Sequence, residues 1–181
     1  MLTAAGNALF DRFAEYERRS LAHEAKAEGG ERGKTFDGVV FRLADYHLTL
    51  GIDEVTEILG VPQATPVPGA KPWLLGVANL RGNLAPLVDL AWFLFNQRTP
   101  LTSHTRVLVL SLQNRPIAVL IDEVVGQRHF ADNDAAPPET FSGTPLAPYM
   151  EREFQQGNIT WGQLRISALV NQPEFMNGAA D

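Results

Sequence analysis

Four carboxylates in this chain stand as two adjacent pairs, Asp53-Glu54 and Asp122-Glu123, each inside the phrase Ile-Asp-Glu-Val. Neighbouring acids can divide general-acid and general-base work when their surroundings push their pKa values apart. Both pairs, however, follow an apolar run and open a turn, where Asp satisfies backbone donors and Glu faces water. That setting argues for structure over catalysis. An enzyme working through these acidic turns stays as a remote alternative that no other feature favours. His23, His47, His104 and His129 are scattered, with no i,i+4 pair bracketing an acid, so no metal site is expected. The absence of cysteine excludes disulfides, thiolate zinc and a Cys nucleophile. No Gly-x-Ser-x-Gly elbow occurs. Gly33-Lys34-Thr35 ends like a phosphate-binding loop, but the position of the required first glycine is Glu28, and a charged helical pattern precedes it instead of a buried strand. Asn158-Ile159-Thr160 is a glycosylation sequon only in a secreted chain. No catalytic residue and no cofactor is expected.

The elements around these residues repeat. Ile52-Asp53-Glu54-Val55 returns as Ile121-Asp122-Glu123-Val124, 69 positions on (121 − 52). Each copy follows two apolar runs parted by a polar turn: Val39 to Leu43 and Leu48 to Leu50, then Val107 to Leu110 and Ile117 to Leu120. Each pair of runs reads as a β-hairpin. Gly82-Asn83-Leu84 is echoed by Gly157-Asn158-Ile159 at an offset of 75 (157 − 82). Two echoes in the same order imply a duplicated β-unit, and a duplicated β-body is more often a docking scaffold than an enzyme.

Outside the repeats, residues 7–27 carry Leu9, Phe13, Tyr16 and Ser20 on one stripe and predict an amphipathic helix. Residues 28–35 read as a linker. Four prolines between 61 and 72 make a stiff loop ahead of Trp73. A hairpin is expected to turn at Arg81-Gly82-Asn83, with Pro86 marking an edge or bulged strand and Asp89 capping a helix through Leu94. Residues 131–148 read as a loop or tether, 151–170 as a second hairpin with a final helix from Ser167 to Val170, and the tail after Asn171 as frayed. The domains expected are 1–35 (helix and linker), 36–172 (two halves, 36–100 and 101–172) and 173–181 (flexible tail).

Composition narrows the function class. The chain has 181 residues, 45 % of them hydrophobic, enough for a core without staples. Its net charge of −6 argues against nucleic acid, whose affinity rests on Lys and Arg at phosphates. Phe130, Phe141 and Trp161 lack the basic surroundings of a single-strand-binding platform. No apolar run approaches the ~20 residues of a membrane span, and no basic n-region marks a secretory signal. A cytoplasmic protein is expected.

Val55-Thr56-Glu57-Ile58, then Thr65 to Ala70, then Trp73-Leu74-Leu75-Gly76-Val77-Ala78-Asn79-Leu80-Arg81-Gly82 through Pro86-Leu87-Val88-Asp89-Leu90 follow an order and spacing similar to those of the CheW family of chemotaxis coupling proteins. The resemblance covers about residues 36–170. The N-terminal extension and Gly126-x-x-His129-Phe130 resemble the PilI subtype, which serves the chemosensory control of type IV pili. Trp161 to Ser167 departs from the usual family ending. The resemblance implies a mainly β fold of two SH3-like five-stranded β-barrels with short helices. It implies a non-catalytic adaptor between the cytoplasmic tip of a chemoreceptor and the regulatory domain of a CheA-type histidine kinase, recruited to membrane-associated receptor arrays, in twitching motility or, alternatively, flagellar chemotaxis. The binding residues it implies are Val55, Glu57, Gly76, Asn79, Arg81, Gly82 and Val107. Physically, Val55 offers apolar area to a helix laid in a groove, Arg81 can pair with Glu57 at the groove edge, and Gly76, Gly82 and Gly126 suit backbone geometry better than contact.

Overall fold

The computed structural model describes residues 35–112 and 115–178. The expected N-terminal helix, and the linker up to Lys34, lie outside the described residues. The fold is mainly β, as expected. Among the described residues twelve strands appear in chain order: β1 (Phe36–Leu43), β2 (Tyr46–Gly51), β3 (Val55–Leu59), β4 (Ala64–Thr65), β5 (Leu74–Leu80), β6 (Asn83–Asp89), β7 (Arg106–Leu112), β8 (Arg115–Ile121), β9 (Glu123–Phe130), β10 (Ala135–Ala136), β11 (Met150–Gln156) and β12 (Ile159–Leu164). Helix α1 (Leu90–Phe95) follows β6; α2 (Ile166–Val170) and α3 (Pro173–Met176) follow β12.

Two six-stranded sheets form, ordered β10-β11-β12-β2-β1-β9 and β3-β7-β8-β6-β5-β4, so each barrel has one strand more than the five expected. The two halves of the chain are not the two sheets. The β1–β2 hairpin sits in the sheet built by β9–β12, and β7–β8 sits in the sheet built by β3–β6. Each exchanged hairpin joins its host through a parallel seam: Leu87 to Asp89 against Ala118 to Leu120, and Gly162-Gln163 against Leu48-Thr49. Below, the barrel of β3–β8 is the first barrel and the barrel of β1, β2 and β9–β12 the second.

The exchange explains why the hairpin strands read as continuous apolar runs. On β7, Val107 and Val109 fill the first barrel, while Leu108 and Leu110 face the core between the sheets. Successive side chains point to opposite faces, and both faces here are dry. On β1, Val40 enters the second barrel and Phe41 the shared core.

The Ile-Asp-Glu-Val repeat is structural as well as textual. In both copies the strand after the phrase carries a β-bulge at the same point, with Thr56 extra between Val55 and Glu57 and Val125 extra between Val124 and Gly126. The Gly-Asn echo is misleading by one residue. In the first barrel the two-residue loop is Arg81-Gly82, with φ of 53° and 91°. In the second it is Gly157-Asn158, with only Gly157 at positive φ (62°). The first is a type I′ pattern, which wants Gly second; the other is a II′ pattern, which wants Gly first. The true offset here is 76, as the helix caps Asp89 and Arg165 confirm (165 − 89).

Two further expectations are corrected. The tail does not fray at Asn171: Phe175 of α3 is buried, stacks on Trp73 at 5.4 Å and meets the Phe93 ring edge at 5.1 Å. The amide of Lys71 also donates to the Gly178 carbonyl at 2.7 Å. The segment 131–148 is a strap with anchors and not a tether. Phe141 and Leu146 are buried in the shared core, and the buried Glu153 carboxylate accepts from the amides of Thr140 and Phe141.

Candidate functional site

Of the residues singled out by the sequence, Glu57 on β3 and Arg81 on the β5–β6 turn meet at the mouth of the first barrel. Strand β3 is an edge strand, paired only with β7, and it carries Val55 and Glu57. The bulge is pinned by the Thr56 hydroxyl donating to the Val109 carbonyl at 2.9 Å. Because the sheet curls, this edge comes close to the β5–β6 turn, although three strands separate them in sheet order. Arg81 Nη2 lies 2.5 Å from Glu57 Oε1, closing the mouth with an ion pair. The Glu57 side chain is 15 % exposed and that of Arg81 76 %. The carboxylate therefore belongs to the wall and the guanidinium to the surface.

The turn that displays Arg81 is held stiffly. Asn79 Oδ1 accepts from the Gly82 amide at 2.8 Å. Arg81 itself adopts φ 53°, a conformation that costs a non-glycine residue roughly 1–2 kcal/mol. Such strain persists only where the surroundings fix it. Gly76, at φ 145°, sits at a bulge in β5, and a Cβ there would collide with the Thr65 carbonyl. Its role is close packing of β4 on β5. Val55 is half-buried against the shared core, leaving part of its surface free.

Val107 does not join this surface. Its side chain is fully buried inside the first barrel. Leu84, not among the binding residues expected from the sequence, lies on the outward face beside the turn. It is 71 % exposed, directly across the strand pair from Asn79. The signal was in the sequence, since Ala85 and Leu87 set the inward phase of β6 and leave an apolar Leu84 in the outward phase.

The second barrel lacks this arrangement. The positions equivalent to Glu57 and Arg81 are Gly126 and Gly157, by the offsets of 69 and 76. Its turn is tied down through Gln156, whose Nε2 donates at 2.9 Å both to the His129 carbonyl and to the Asp134 carboxylate and whose Oε1 accepts from Arg128 Nη1 at 3.3 Å.

The acidic pairs hold the hairpins. Asp122 Oδ2 accepts from the Ala44 amide at 2.6 Å, and Glu123 takes Arg42 Nε at 2.9 Å. Glu54 Oε2 accepts from the Gly51 amide at 2.7 Å. The hydrogen bond from Arg42 holds the Glu123 carboxyl below the usual carboxylate range. Burial pushes that of Glu54 above it, against the opposing pull of its bond to Gly51. Among the described residues no cluster of His, Asp and Glu could hold a metal ion, and no helix is long and apolar enough to cross a membrane.

Residues 37–174 match the family of the CheW-like domain. The chain is 38 % identical to the protein PilI of Pseudomonas aeruginosa over 155 residues, covering 82 % of this chain and 83 % of that protein. It is 33 % identical to the chemotaxis protein CheW of Rhizobium meliloti over 120 residues, covering 66 % and 74 %. Its fold is similar to the crystal structure of the scaffolding protein TtCheW from Thermoanaerobacter tengcongensis, with a TM-score of 0.63 at 20 % identity, covering 72 % of this chain and 89 % of that one.

Proposed function

The chain belongs to the CheW family, and from that premise we propose that it is a non-catalytic adaptor joining a chemoreceptor's cytoplasmic tip to the regulatory domain of a CheA-type histidine kinase. The observation that carries this reading is the mouth of the first barrel. An exposed guanidinium, an exposed leucine and part of a valine are presented on a strained turn and a pinned bulge. A surface fixed before binding loses little conformational entropy when a partner docks. Arg81 offers charge to the partner, Glu57 orients it, and Val55 with Leu84 supplies apolar area for an amphipathic helix. Asn79 and Gly82 set the turn, and Gly76 sets the strand that leads to it.

The 38 % relative PilI supports placing this adaptor in the control of type IV pili and twitching motility. The Rhizobium relative carries the alternative of swimming chemotaxis. The coupling body is proposed as the region from residue 36 onward, with residues 1–35 as an addition to it. The location that follows is the cytoplasm, at membrane-associated receptor arrays.

Titration calorimetry of the whole protein against a receptor-tip fragment and, separately, a kinase regulatory domain from the same source tests the reading. Saturable binding to both is expected, with Arg81→Glu weakening receptor binding at least about tenfold, typical of a contact worth 1.4 kcal/mol, while the fold stays intact by circular dichroism. A folded protein that binds neither overturns it. Receptor binding indifferent to Arg81→Glu moves the groove elsewhere.

A further inference from the structure

The interior of the second barrel holds three polar atoms without a hydrogen-bond partner: Thr49 Oγ1, Trp161 Nε1 and Gln163 Oε1. Thr49 and Trp161 are fully buried and Gln163 is 9 % exposed. They are neighbours by register. Gln163 on β12 stands directly opposite Thr49 on β2 in the parallel seam, and Trp161 precedes Gln163 by two residues, so all three share one face of the sheet. Val40, paired with Thr49, places that face inside the barrel. The equivalent positions in the first barrel are Ala118, Ala85 and Leu87, all buried and apolar. Chance does not readily put three orphaned polar atoms on one patch of one barrel while its twin keeps the same patch greasy. Buried polar groups are almost always satisfied.

The donor inventory is complementary. The Trp161 indole only donates, the Gln163 oxygen only accepts, and the Thr49 hydroxyl does either. The Gln163 amide is oriented by its other end, since Nε2 points toward Glu151 Oε2 at 3.5 Å and leaves the oxygen inward. We propose that the second barrel binds one buried water molecule, which accepts from Trp161 Nε1, donates to Gln163 Oε1 and shares a hydrogen bond with Thr49 Oγ1. An ion does not suit the site: a cation would face the indole donor, and an anion the amide oxygen. The water staples the seam where the exchanged β1–β2 hairpin meets β12, a seam of only two register pairs against three in the first barrel. Buried waters of this kind make about three hydrogen bonds and are costly to remove.

Water-exchange NMR on the whole protein tests this. The indole proton of Trp161, assigned by its loss in Trp161→Phe, should show a cross-peak to long-lived water. Thr49→Val keeps the shape but removes the hydroxyl; it should abolish or weaken that cross-peak and lower the melting temperature by about 2–4 °C, the scale of one buried hydrogen bond in a domain this size. Thr49→Ser, which retains the hydroxyl, should keep the cross-peak, and it stands in should the valine variant fold poorly. No water cross-peak at Trp161 in the parent protein overturns the proposal. So does a Thr49→Val protein that melts higher, because relief of an unsatisfied hydroxyl would then be all the substitution did.

Discussion

The two barrels share strand order, the parallel seam, the exchanged hairpin and even the position of a β-bulge, yet they are filled and closed differently. The first is lined by Ala78, Leu80, Ala85, Leu87, Val107, Val109, Ala118 and Leu120; the second by Val40, Phe130, Phe154 and Trp161. Bulk has been traded between equivalent positions. Ala78 and Ala85 correspond to Phe154 and Trp161, while Val107 corresponds to Gly38. A barrel needs the right total volume more than the right residue at each site. Closure differs too: the first mouth carries a surface guanidinium directly on a wall carboxylate, whereas in the second the Gln156 amide stands between the Arg128 guanidinium and the Asp134 carboxylate. One copy of the duplicated unit thus carries a direct ion pair at its mouth, and the other an amide-bridged rim over an aromatic interior.

Emptying the aromatic barrel should have the largest effect. Trp161→Ala is expected to destabilise by about 3–5 kcal/mol, read from denaturant midpoints. Val107→Ala, in the aliphatic barrel, should cost about 2 kcal/mol. Equal costs would mean the two interiors are not packed to different plans. Next comes the small partner in the trade. Gly38→Val installs the residue of the twin barrel, where its Cβ would overlap Thr49 Oγ1 and crowd the Phe36 ring. A loss of about 1–3 kcal/mol in thermal melts is expected, and a neutral result would break the idea of compensated volumes.

Arg81→Gly gives the first mouth the residue of the second. It removes a surface ion pair, a contribution of about 0–1 kcal/mol, and relieves the positive φ, so chemical denaturation should place its stability within about 1 kcal/mol of the parent. Receptor binding, by contrast, should fall at least about tenfold. The smallest effect concerns the echoed glutamates, Glu54 and Glu123. The lowered pKa of Glu123 gives a stabilisation present above the unfolded carboxylate value and lost as the pH falls below it. The raised pKa of Glu54 works the other way: its contribution is present at low pH and lost as the pH rises past the folded value. In melts between about pH 7 and pH 3, Glu123→Gln should flatten the acid loss. Glu54→Gln should compare best with the parent at neutral pH and worst in acid. Parallel behaviour of the two variants would erase this difference between the copies.

Much of this was legible in the residues. The Ile-Asp-Glu-Val repeat, the hairpins and the Asp89 cap depend on local turn and strand chemistry, which sequence records directly; Asp89 Oδ1 indeed accepts from the Trp92 amide at 3.2 Å. The pairing of Arg81 with Glu57 was anticipated once the family resemblance had singled out both residues and their opposite charges suggested a pair. Hairpin exchange was not legible, because nothing local in β1 distinguishes β9 from β3 as its partner. Val107 was misplaced for the same reason: a strand between two cores has no polar face to reveal its phase. The Gly-Asn echo misled because two turn types place their glycine at different positions.

The exchanged hairpin also bears on how this chain leaves the ribosome. Strand β2 meets β12 at Leu48 and Gly162, and β1 meets β9 at Phe36 and Phe130. The first hairpin therefore emerges more than a hundred residues before its last partner (162 − 48 = 114). At about 5–20 residues per second that is a wait on the order of ten seconds, with Val40, Phe41, Leu48 and Leu50 already synthesised and no wall to pack against. Among the described strands β1 and β2 are made first, and they are the ones a chaperone would be expected to hold.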